Sequence, residues 1–268
     1  MDRIVECVPN FSEGRDEGVI KEITDTIEAV ADVQLLDVDP GADTNRTVVT
    51  MVGSPEGAAE AAFQAVKRAS YLIDMRQHRG AHPRFGATDV VPFVPVSGVT
   101  MDDCVKLARQ VGKRIGEELG IPVYLYEYAA ARPERRNLSR VRTGEYEGLE
   151  EKLEDPEWQP DFGPATFNAE AGATAVGARE FLIAYNIDLN TTERKYANEI
   201  AYSLRERGRW KRTGNIEPFY YKGDIVRFPE DGTYPCGPCD FVGDSFEALE
   251  VHYTEVHDGE LRGRYEAL

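Results

Sequence analysis

The chain has 268 residues, of which 41% are hydrophobic and 10% aromatic, a composition typical of a folded protein rather than a disordered one. Its 48 acidic and 31 basic side chains give a net charge of −17, which argues against general affinity for nucleic acid or anionic lipid. No segment approaches the roughly 18 consecutive apolar residues of a membrane span, and the first residues lack the pattern of a secretory signal. We therefore expect a cytoplasmic globular protein whose partners include neither nucleic acid nor a membrane.

The first hundred residues alternate between strand and helix patterns. The predicted elements are a strand at Ile4–Val8, a helix at Gly18–Val30, strands at Val33–Val38 and Arg46–Val52, a helix from a Ser54 cap to about Ile73, and a strand at Val90–Val96. The order β-α-β-β-α-β is that of a split βαβ, or ferredoxin-like, domain. The sequence therefore predicts an α+β fold with a ferredoxin-like N-terminal subdomain.

The loop before the last of these strands carries two histidines four residues apart. His78 and His82 are accompanied there by Arg76, Arg79 and Arg84. Imidazole is the side chain best suited to move protons at neutral pH. The loop can therefore present a proton-transfer group to an anionic substrate; the alternative is a polar surface turn in which the histidines are incidental.

An added α/β unit is predicted after residue 99. Thr100 can cap a helix that runs to about Leu119, where Gly120 stops it, and Val123–Glu127 has the pattern of a strand. Arg132–Tyr146 is rich in arginine, which is typical either of a solvated loop or of a segment that contacts an anion.

The rest of the chain has a more irregular pattern. A short acidic helix is predicted at Glu145–Glu154, and Asp155–Ala178 is low in regular structure, as functional loops often are. A strand is then predicted at Phe181–Leu189. A helix capped by Thr191 or Thr192 follows and extends to about Arg207.

The four cysteines fall into two groups. Cys7 and Cys104 stand alone in apolar contexts, and we expect both to be buried small hydrophobic residues. The other pair belongs to a two-Cys, two-His zinc-finger spacing formed by Cys236, Cys239, His252 and His257. This spacing predicts a structural zinc site, with a redox-inert cysteine pair beside an amphipathic helix as the alternative. Residues 236–260 contain seven acidic side chains and no Lys or Arg, so we expect the finger to be structural or to contact protein rather than DNA.

Four strings of residues, spread over most of residues 3–209, resemble one known family. They are Glu6–Arg15, Asp43–Val48, Arg79–Asp89, and Gly172–Arg179 with Phe181–Asn186. In these strings the chain is similar to the formiminotransferase family, which comprises glutamate formimidoyltransferase and the transferase domain of formimidoyltransferase-cyclodeaminase.

The resemblance implies two ferredoxin-like subdomains and a homodimer. It implies transfer of a formimidoyl group between tetrahydrofolate, the co-substrate, and L-glutamate, as in breakdown of histidine through formiminoglutamate. The chain would comprise an N-terminal subdomain at 1–178, the beginning of the C-terminal subdomain at 179–212, and the zinc-finger-like segment at 213–268. The family pattern places the catalytic histidine at His82, and the folate contact at Gly163, Pro164, Ala165, Thr166, Phe167, Asn168, Ala169, Glu170, Ala171 and Gly172.

The proposed reaction explains these residue types. One histidine can take a proton from the incoming amine and deliver one to the leaving amine, and His82 lies within the matching string whereas His78 lies outside it. Glutamate and folate both carry carboxylates, which arginine binds bidentately. The candidate anchors are Arg79 and Arg84, with Arg46 and Arg179 as further candidates. Asp39 and Asp89 can orient the imidazole or hold the amidine cation, or they are simply turn formers.

The resemblance ends near Arg209, and 59 residues follow it. Either the zinc-finger-like segment is an insertion in a second subdomain whose remainder lies outside this chain, or the shortened protein has lost catalysis. The leading hypothesis is formimidoyl transfer. The alternatives are a glutamate formyltransferase and a non-catalytic folate- or protein-binding module with a zinc-stabilised tail.

Overall fold

The computed structural model describes residues 3–182 continuously, then residues 189–190, 193, 196–197 and 200, and the backbone of four short strands between 219 and 243. The chain divides into two compact units, Met1–Ile183 and Ala184–Leu268.

The described part of the first unit contains seven strands and five α-helices. The strands are β1 (Ile4–Cys7), β2 (Asn10–Phe11), β3 (Val33–Gly41), β4 (Arg46–Gly53), β5 (Thr88–Ser97), β6 (Val123–Glu127) and β7 (Thr174–Ala178). The helices are α1 (Glu17–Glu28), α2 (Pro55–Leu72), α3 (Met101–Leu119), α4 (Leu138–Val141) and α5 (Leu149–Glu154). Two single 3₁₀ turns, at Pro133–Arg135 and Pro156–Trp158, flank the last two helices.

All seven strands form one mixed sheet. Strands β1 and β2 follow one another in the same position between β4 and β5, and β3 lies outside β4 at the edge. These pairings are antiparallel, and the resulting order β3-β4-β1-β5 is that of a split βαβ domain. The added unit extends the sheet beyond β5 with β7 and β6, which pair in parallel. The predicted α+β class and βαββαβ order are confirmed.

The predicted helix signals act as expected. The Ser54 hydroxyl accepts a hydrogen bond of 3.1 Å from the Gly57 amide at the start of α2. Thr100 and Asp103 form a reciprocal capping box at the start of α3, and Gly120 ends that helix with a φ of +65°. Such caps satisfy amides and carbonyls that have no partner within the helix.

The sheet is covered on two faces by different parts of the chain. Helices α1, α2 and α3 pack on one face, where Cys7 and Cys104 are fully buried, as the sequence predicts. On the other face, a second apolar cluster joins β6 and β7 to the segment between residues 133 and 158. This second cluster includes Phe85 and Val90 and therefore extends to the strand that follows the histidine loop.

The segment Arg132–Tyr146 is a folded part of this cover rather than a solvated loop. The Arg135 side chain is 1% exposed, forms an ion pair of 2.9 Å with Asp161 and donates to the carbonyl of Gln159 at 2.7 Å. A guanidinium can be buried in this way because its Nη1 and Nη2 groups have a carboxylate and carbonyl oxygens as partners, while Nε has no partner among the described residues.

Two strand predictions are corrected by the structure. The stretch Asp155–Ala178, which the sequence describes as low in regular structure, ends in the buried strand β7. All five of its residues are buried, so the strand lacks the alternation that identifies a half-exposed one. Phe181 and Leu182, which are predicted to begin a strand, are exposed and belong to neither a helix nor a strand. Residues 183–188 of the predicted strand lie outside the described residues.

In the second unit the described elements are few. Strands β8 (Phe219–Tyr221) and β9 (Asp224–Val226) pair antiparallel, as do β10 (Tyr234–Pro235) and β11 (Val242–Gly243). Tyr196, Ala197 and Ile200 are helical, within the helix predicted there. The predicted zinc ligands Cys236, Cys239, His252 and His257 lie outside the described residues. Among the residues that are described, no three metal-binding side chains converge and no helix has the length and hydropathy to cross a membrane.

The buried Lys152 on α5 predicts a pH-dependent contribution to stability. Burial lowers the pKa of its ammonium group to about 8, and Arg135 adds repulsion. The ordinary lysine pKa is 10.5, so between about pH 8 and pH 10.5 the unfolded chain binds more protons at this site than the folded chain. Its contribution to the free energy of unfolding therefore rises with pH in that range.

Urea unfolding of the wild type and Lys152→Met between pH 8 and pH 10 measures this contribution. We expect the difference in stability to shift in favour of the wild type as pH rises. Lys67→Met, at an exposed position on α2, is the matched control and should follow the wild type. Parallel pH dependences of wild type and Lys152→Met would contradict the assignment.

Candidate functional site

The histidine loop, residues 73–87, is held against the turn between β3 and β4 by close backbone packing. A Cβ atom at Gly80 would lie 2.0 Å from the carbonyl oxygen of Thr44, so a side chain cannot be accommodated there without displacing the turn. The amide of Ala81 also donates to the carbonyl of Asp43 at 3.0 Å. The loop and the turn therefore pack against each other and form one continuous surface.

Asn45 is the residue that ties this surface together. Its φ of +48° lies in the left-handed region, which asparagine tolerates better than most residues. Its Oδ1 accepts from the amide of Gly14 at 3.0 Å, and its Nδ2 donates to the carbonyl of Arg79 at 3.1 Å. Three loops, one after β2, one before β4 and one before β5, thus meet on a single side chain.

His78 is a buried residue of the same joint. Its Nε2 lies 2.7 Å from the carbonyl oxygen of Asn45, which can only accept, so this nitrogen carries the proton. Its Nδ1 has no partner among the described residues. Burial lowers the pKa of this histidine, so its imidazole is neutral at pH 7. His78 fixes the loop and is not open to a substrate.

His82 is placed differently, with a partly exposed ring. Its Nδ1 lies 2.6 Å from the carbonyl oxygen of Pro83 and therefore carries the proton, which leaves the lone pair on Nε2. The Nη1 atom of Arg46 lies 3.4 Å from the same Nδ1; because both atoms are donors, this contact is a juxtaposition and not a hydrogen bond. Burial lowers the pKa of His82, and the positive charge of Arg46 lowers it further. At neutral pH the ring is a neutral base.

The charge beside His82 is organised by the fully buried carboxylate of Asp89, on β5. Arg46 donates to its Oδ2 through Nη1. Arg142, which follows α4, donates to its Oδ1 through Nε at 3.0 Å and to its Oδ2 through Nη2. Arg46 also donates to Oδ1 of Asn10 from Nε at 3.2 Å and from Nη2 at 2.9 Å. Within the described part of the chain, Asp89 acts on the imidazole through its charge and through the Arg46 guanidinium, which it holds beside the ring.

The loop Gly163–Gly172 is joined to the histidine loop through its backbone. The amide of Ala87 donates to the carbonyl of Ala171 at 2.9 Å, and the amide of Ala173 donates to the carbonyl of Phe85 at 3.1 Å. An open depression of about 420 Å³ lies along this loop. Its lining is Arg76, Gly120, Pro164, Thr166, Phe167, Asn168, Ala169 and Glu170.

Tyr146 forms a second connection between the histidine loop and the loop Gly163–Gly172. Its hydroxyl donates to the carbonyl of Ala169 at 2.6 Å, and its ring packs on Phe167 with 5.4 Å between centroids. The guanidinium of Arg84 lies over the same tyrosine ring at 4.9 Å. The structure thus brings together the two stretches that the sequence selects separately.

The remaining candidate residues have distinct settings. The Arg84 guanidinium is buried and is engaged by the carboxylate of Glu147 and by backbone carbonyls, including that of Met75 at 3.1 Å. Arg79 is exposed, and its guanidinium donates to the carbonyl of Arg76 at 3.2 Å. Asp39 is exposed on the edge strand β3 opposite Val48, so it projects from the same face of the sheet as Arg46.

Three residues of the site were not selected from the sequence. Asn10 and Asn45 lie inside the matching strings, but an asparagine in a turn is more often a local turn former. Arg142 belongs to an arginine-rich segment, and only its folding onto β5 distinguishes it from its neighbours. The one sequence signal that could identify Asn45 is its residue type within a turn, because asparagine tolerates a positive φ.

The fold and the site describe an α+β protein whose sheet presents a partly exposed histidine beside a buried arginine–aspartate cluster. Comparison with known proteins gives this class a family. Residues 4–179 match the model of the formiminotransferase domain, N-terminal subdomain. The chain therefore belongs to the formiminotransferase family.

Individual relatives with names from the same family are also similar to this chain. The chain is 51% identical to a glutamate formimidoyltransferase of Thermoplasma acidophilum over 204 residues, which cover 75% of this chain and 67% of the relative. It is 50% identical to the corresponding Streptococcus pyogenes serotype M1 protein over 208 residues, 78% of this chain and 70% of the relative. A formimidoyltransferase-cyclodeaminase of Dictyostelium discoideum is 53% identical over 218 residues, 81% of this chain. The match spans about 40% of the length of that relative.

The role of Asn45 can be measured. Asn45→Ala removes both side-chain hydrogen bonds and places alanine at a positive φ, so we expect the free energy of unfolding to fall by about 2–4 kcal/mol. Asn45→Asp keeps the acceptor for the Gly14 amide and should lose less. Urea unfolding, with hydrogen exchange at the Gly14 amide, measures both changes. A wild-type unfolding midpoint for Asn45→Ala would show that the three loops are held by other contacts.

Proposed function

We propose that this protein transfers a formimidoyl group between tetrahydrofolate and L-glutamate, with His82 as the general acid and base. The observation that carries the proposal is the state of His82: Nδ1 is bound to the Pro83 carbonyl, Nε2 keeps its lone pair, and Arg46 opposes protonation. The names of the relatives support the reaction class.

The reaction needs two proton movements at one place. The incoming amine attacks the amidine carbon of the formimidoyl donor, and Nε2 of His82 takes the proton that this nitrogen gives up. The tetrahedral intermediate then expels the other amine, which receives that proton from Nε2. The imidazole returns to its neutral form, so charge and protons balance over the cycle. Such acid–base catalysis contributes typically about 10²–10⁴-fold.

Substrate contacts are proposed for the surfaces on either side of His82. The loop Gly163–Gly172 offers backbone groups and the ring of Phe167 for a pterin or benzoate ring of folate. Arg79, whose side chain is exposed, is proposed to hold a substrate carboxylate, and Asp39 to face the cationic amidine. Because Arg84 already contacts Glu147 and two carbonyls, we propose that it holds the loop in the binding conformation.

His82→Ala tests the catalytic proposal directly. With formiminoglutamate and tetrahydrofolate as substrates, we expect the wild type to form formimidoyl-tetrahydrofolate and the variant to lose about 10²–10⁴-fold in rate. Arg109→Ala, on the exposed side of α3, is the control for loss of folding. Full activity of His82→Ala would reject the assignment.

The same preparation separates the alternatives. Turnover of formylglutamate without turnover of formiminoglutamate would indicate a glutamate formyltransferase. Calorimetric binding of tetrahydrofolate with no turnover of either donor would indicate a non-catalytic folate-binding module.

The family pattern supports the proposed assembly and the first two parts of the chain, whereas the last part is proposed from its own spacing because the resemblance ends near Arg209. We propose a cytoplasmic homodimer in which 1–178 is the N-terminal subdomain, 179–212 begins the C-terminal subdomain, and 213–268 is the zinc-finger-like segment.

Structural zinc is proposed for the four ligands Cys236, Cys239, His252 and His257. Their spacing is the primary support. The antiparallel pairing of Tyr234–Pro235 with Val242–Gly243 is a second support, because it makes a hairpin whose connection contains both cysteines. Residues too few to build a core of their own commonly fold around such a metal.

Metal analysis tests this proposal. We expect about one zinc ion per chain in the purified protein and its loss in Cys236→Ser/Cys239→Ser, with a lower melting temperature for the second unit. Cys104→Ser, outside the motif, should retain the metal. Absence of zinc from the wild type after purification and zinc titration would overturn the proposal.

A further inference from the structure

The single carboxylate of Asp89 forms ion pairs with two guanidinium groups. It is fully buried, and it is shared by Arg46 and Arg142, whose side chains are 11% and 17% exposed. A single arginine is enough to neutralise one carboxylate. The second guanidinium therefore leaves an excess positive charge on the side of the cluster that faces His82.

The two arginines approach Asp89 with different geometry. Arg142 is bidentate, since its Nε and Nη2 donate to the two separate oxygens of the carboxylate. Arg46 reaches one of those oxygens through Nη1, while its Nε and Nη2 are held by Asn10. Arg142 thus fixes the plane of the carboxylate, and the carboxylate together with Asn10 fixes the plane of the Arg46 guanidinium.

The segment that carries Arg142 is itself held in place. Oδ1 of Asn137 accepts from the amide of Ser139 at 2.9 Å at the start of α4. At the other end, the buried ammonium group of Lys152 donates to the carbonyls of Val141 and, at 3.0 Å, Thr143. Hydrogen bonds therefore hold the backbone on both sides of Arg142, and this backbone places the Arg142 guanidinium beside Asp89.

We propose that Arg142 is a positioning residue for His82: by clamping Asp89 it sets the Arg46 guanidinium against the imidazole and keeps the ring available as a base. The inference rests on the proposed role of His82 in proton transfer. It adds a residue that lies 53 positions from Asp89 in the chain and outside the strings that carry the family resemblance.

The electrostatic balance around His82 supports this role. Burial and Arg46 lower the pKa of the imidazole, Asp89 raises it, and Arg142 lowers it again. The facing groups are Arg46 from β4, Asp89 from β5, Arg142 after α4 and the Pro83 carbonyl. The hydroxyl of Tyr126, on β6, interacts electrostatically with Asp89 and Arg142. It remains neutral because burial raises its pKa. Removing Arg142 therefore acts in one direction: it takes away a positive charge that lowers the pKa of His82 and leaves Arg46 alone to neutralise Asp89.

An NMR titration of the histidine ring signals tests the proposal in the intact chain. The sequence has four histidines, and His82→Gln assigns the signal of interest. We expect the pKa of His82 to rise in Arg142→Met towards the ordinary histidine value of about 6.5 or above. Arg142→Lys, which keeps the charge, should restore most of the wild-type titration. Arg140→Met, an exposed arginine two residues away, should leave it unchanged.

Loss of folding has a separate readout. If Arg142→Met does not fold, as removal of one partner from a buried pair can cause, Arg142→Gln and Arg142→Lys decide the question. The inference requires Gln to raise the pKa of His82 and Lys to leave it near the wild-type value. Equal titration curves for wild type, Gln and Met, or the same shift with Arg140→Met, would overturn it.

The titration needs neither substrate nor turnover, so it is independent of the proposed reaction. A raised pKa in a protein without transferase activity would keep the positioning role and reject the function. In an active preparation, Arg142→Met should also move the acid limb of the kcat/KM profile to higher pH, a change that a purely structural role would not produce.

Discussion

The buried carboxylate of Asp89 is the constraint on which the site depends. A charge with no access to water is tolerable only when it is paired and hydrogen-bonded, and here Arg46 and Arg142 supply that compensation. Because the buried charge must be paired, side chains from β4, β5 and the segment after α4 meet at Asp89. The same pairing leaves a guanidinium beside His82, so the need to compensate a buried charge also defines the electrostatic setting of the base.

The backbone around His82 is fixed by a second, uncharged joint. Asn45 occupies a left-handed position and links the loops that follow β2 and precede β4 and β5. Gly80 allows the histidine loop to approach the Thr44 carbonyl more closely than any side chain would permit. His78 serves this joint by donating to the Asn45 carbonyl. Two histidines four residues apart therefore have separate tasks, one internal to the loop and one at its surface.

Local signals in the sequence were sufficient for most of the fold. Apolar periodicity and the caps at Ser54 and Thr100 predicted the βαββαβ order, because each signal depends on residues within one or two turns of the chain. Strand β7 was missed because its small residues are buried on both faces and show no alternation. The Arg142–Asp89 pair was missed for a different reason: its partners are 53 residues apart, and their contact exists only after the segment 133–158 folds onto the sheet. His82 was selected through its matching string, whereas its tautomer required the position of the Pro83 carbonyl.

The proposed function depends on one property of His82: at neutral pH it is an uncharged ring, protonated on Nδ1, with a free Nε2. Two-bond ¹H–¹⁵N correlation spectra of the ¹⁵N-labelled chain at pH 7 measure this state, because the two nitrogens of each tautomer have distinct shifts. The expected result is a protonated Nδ1 and an unprotonated Nε2 for the signal that disappears in His82→Gln. A doubly protonated ring at pH 7, or a proton on Nε2 alone, would contradict it.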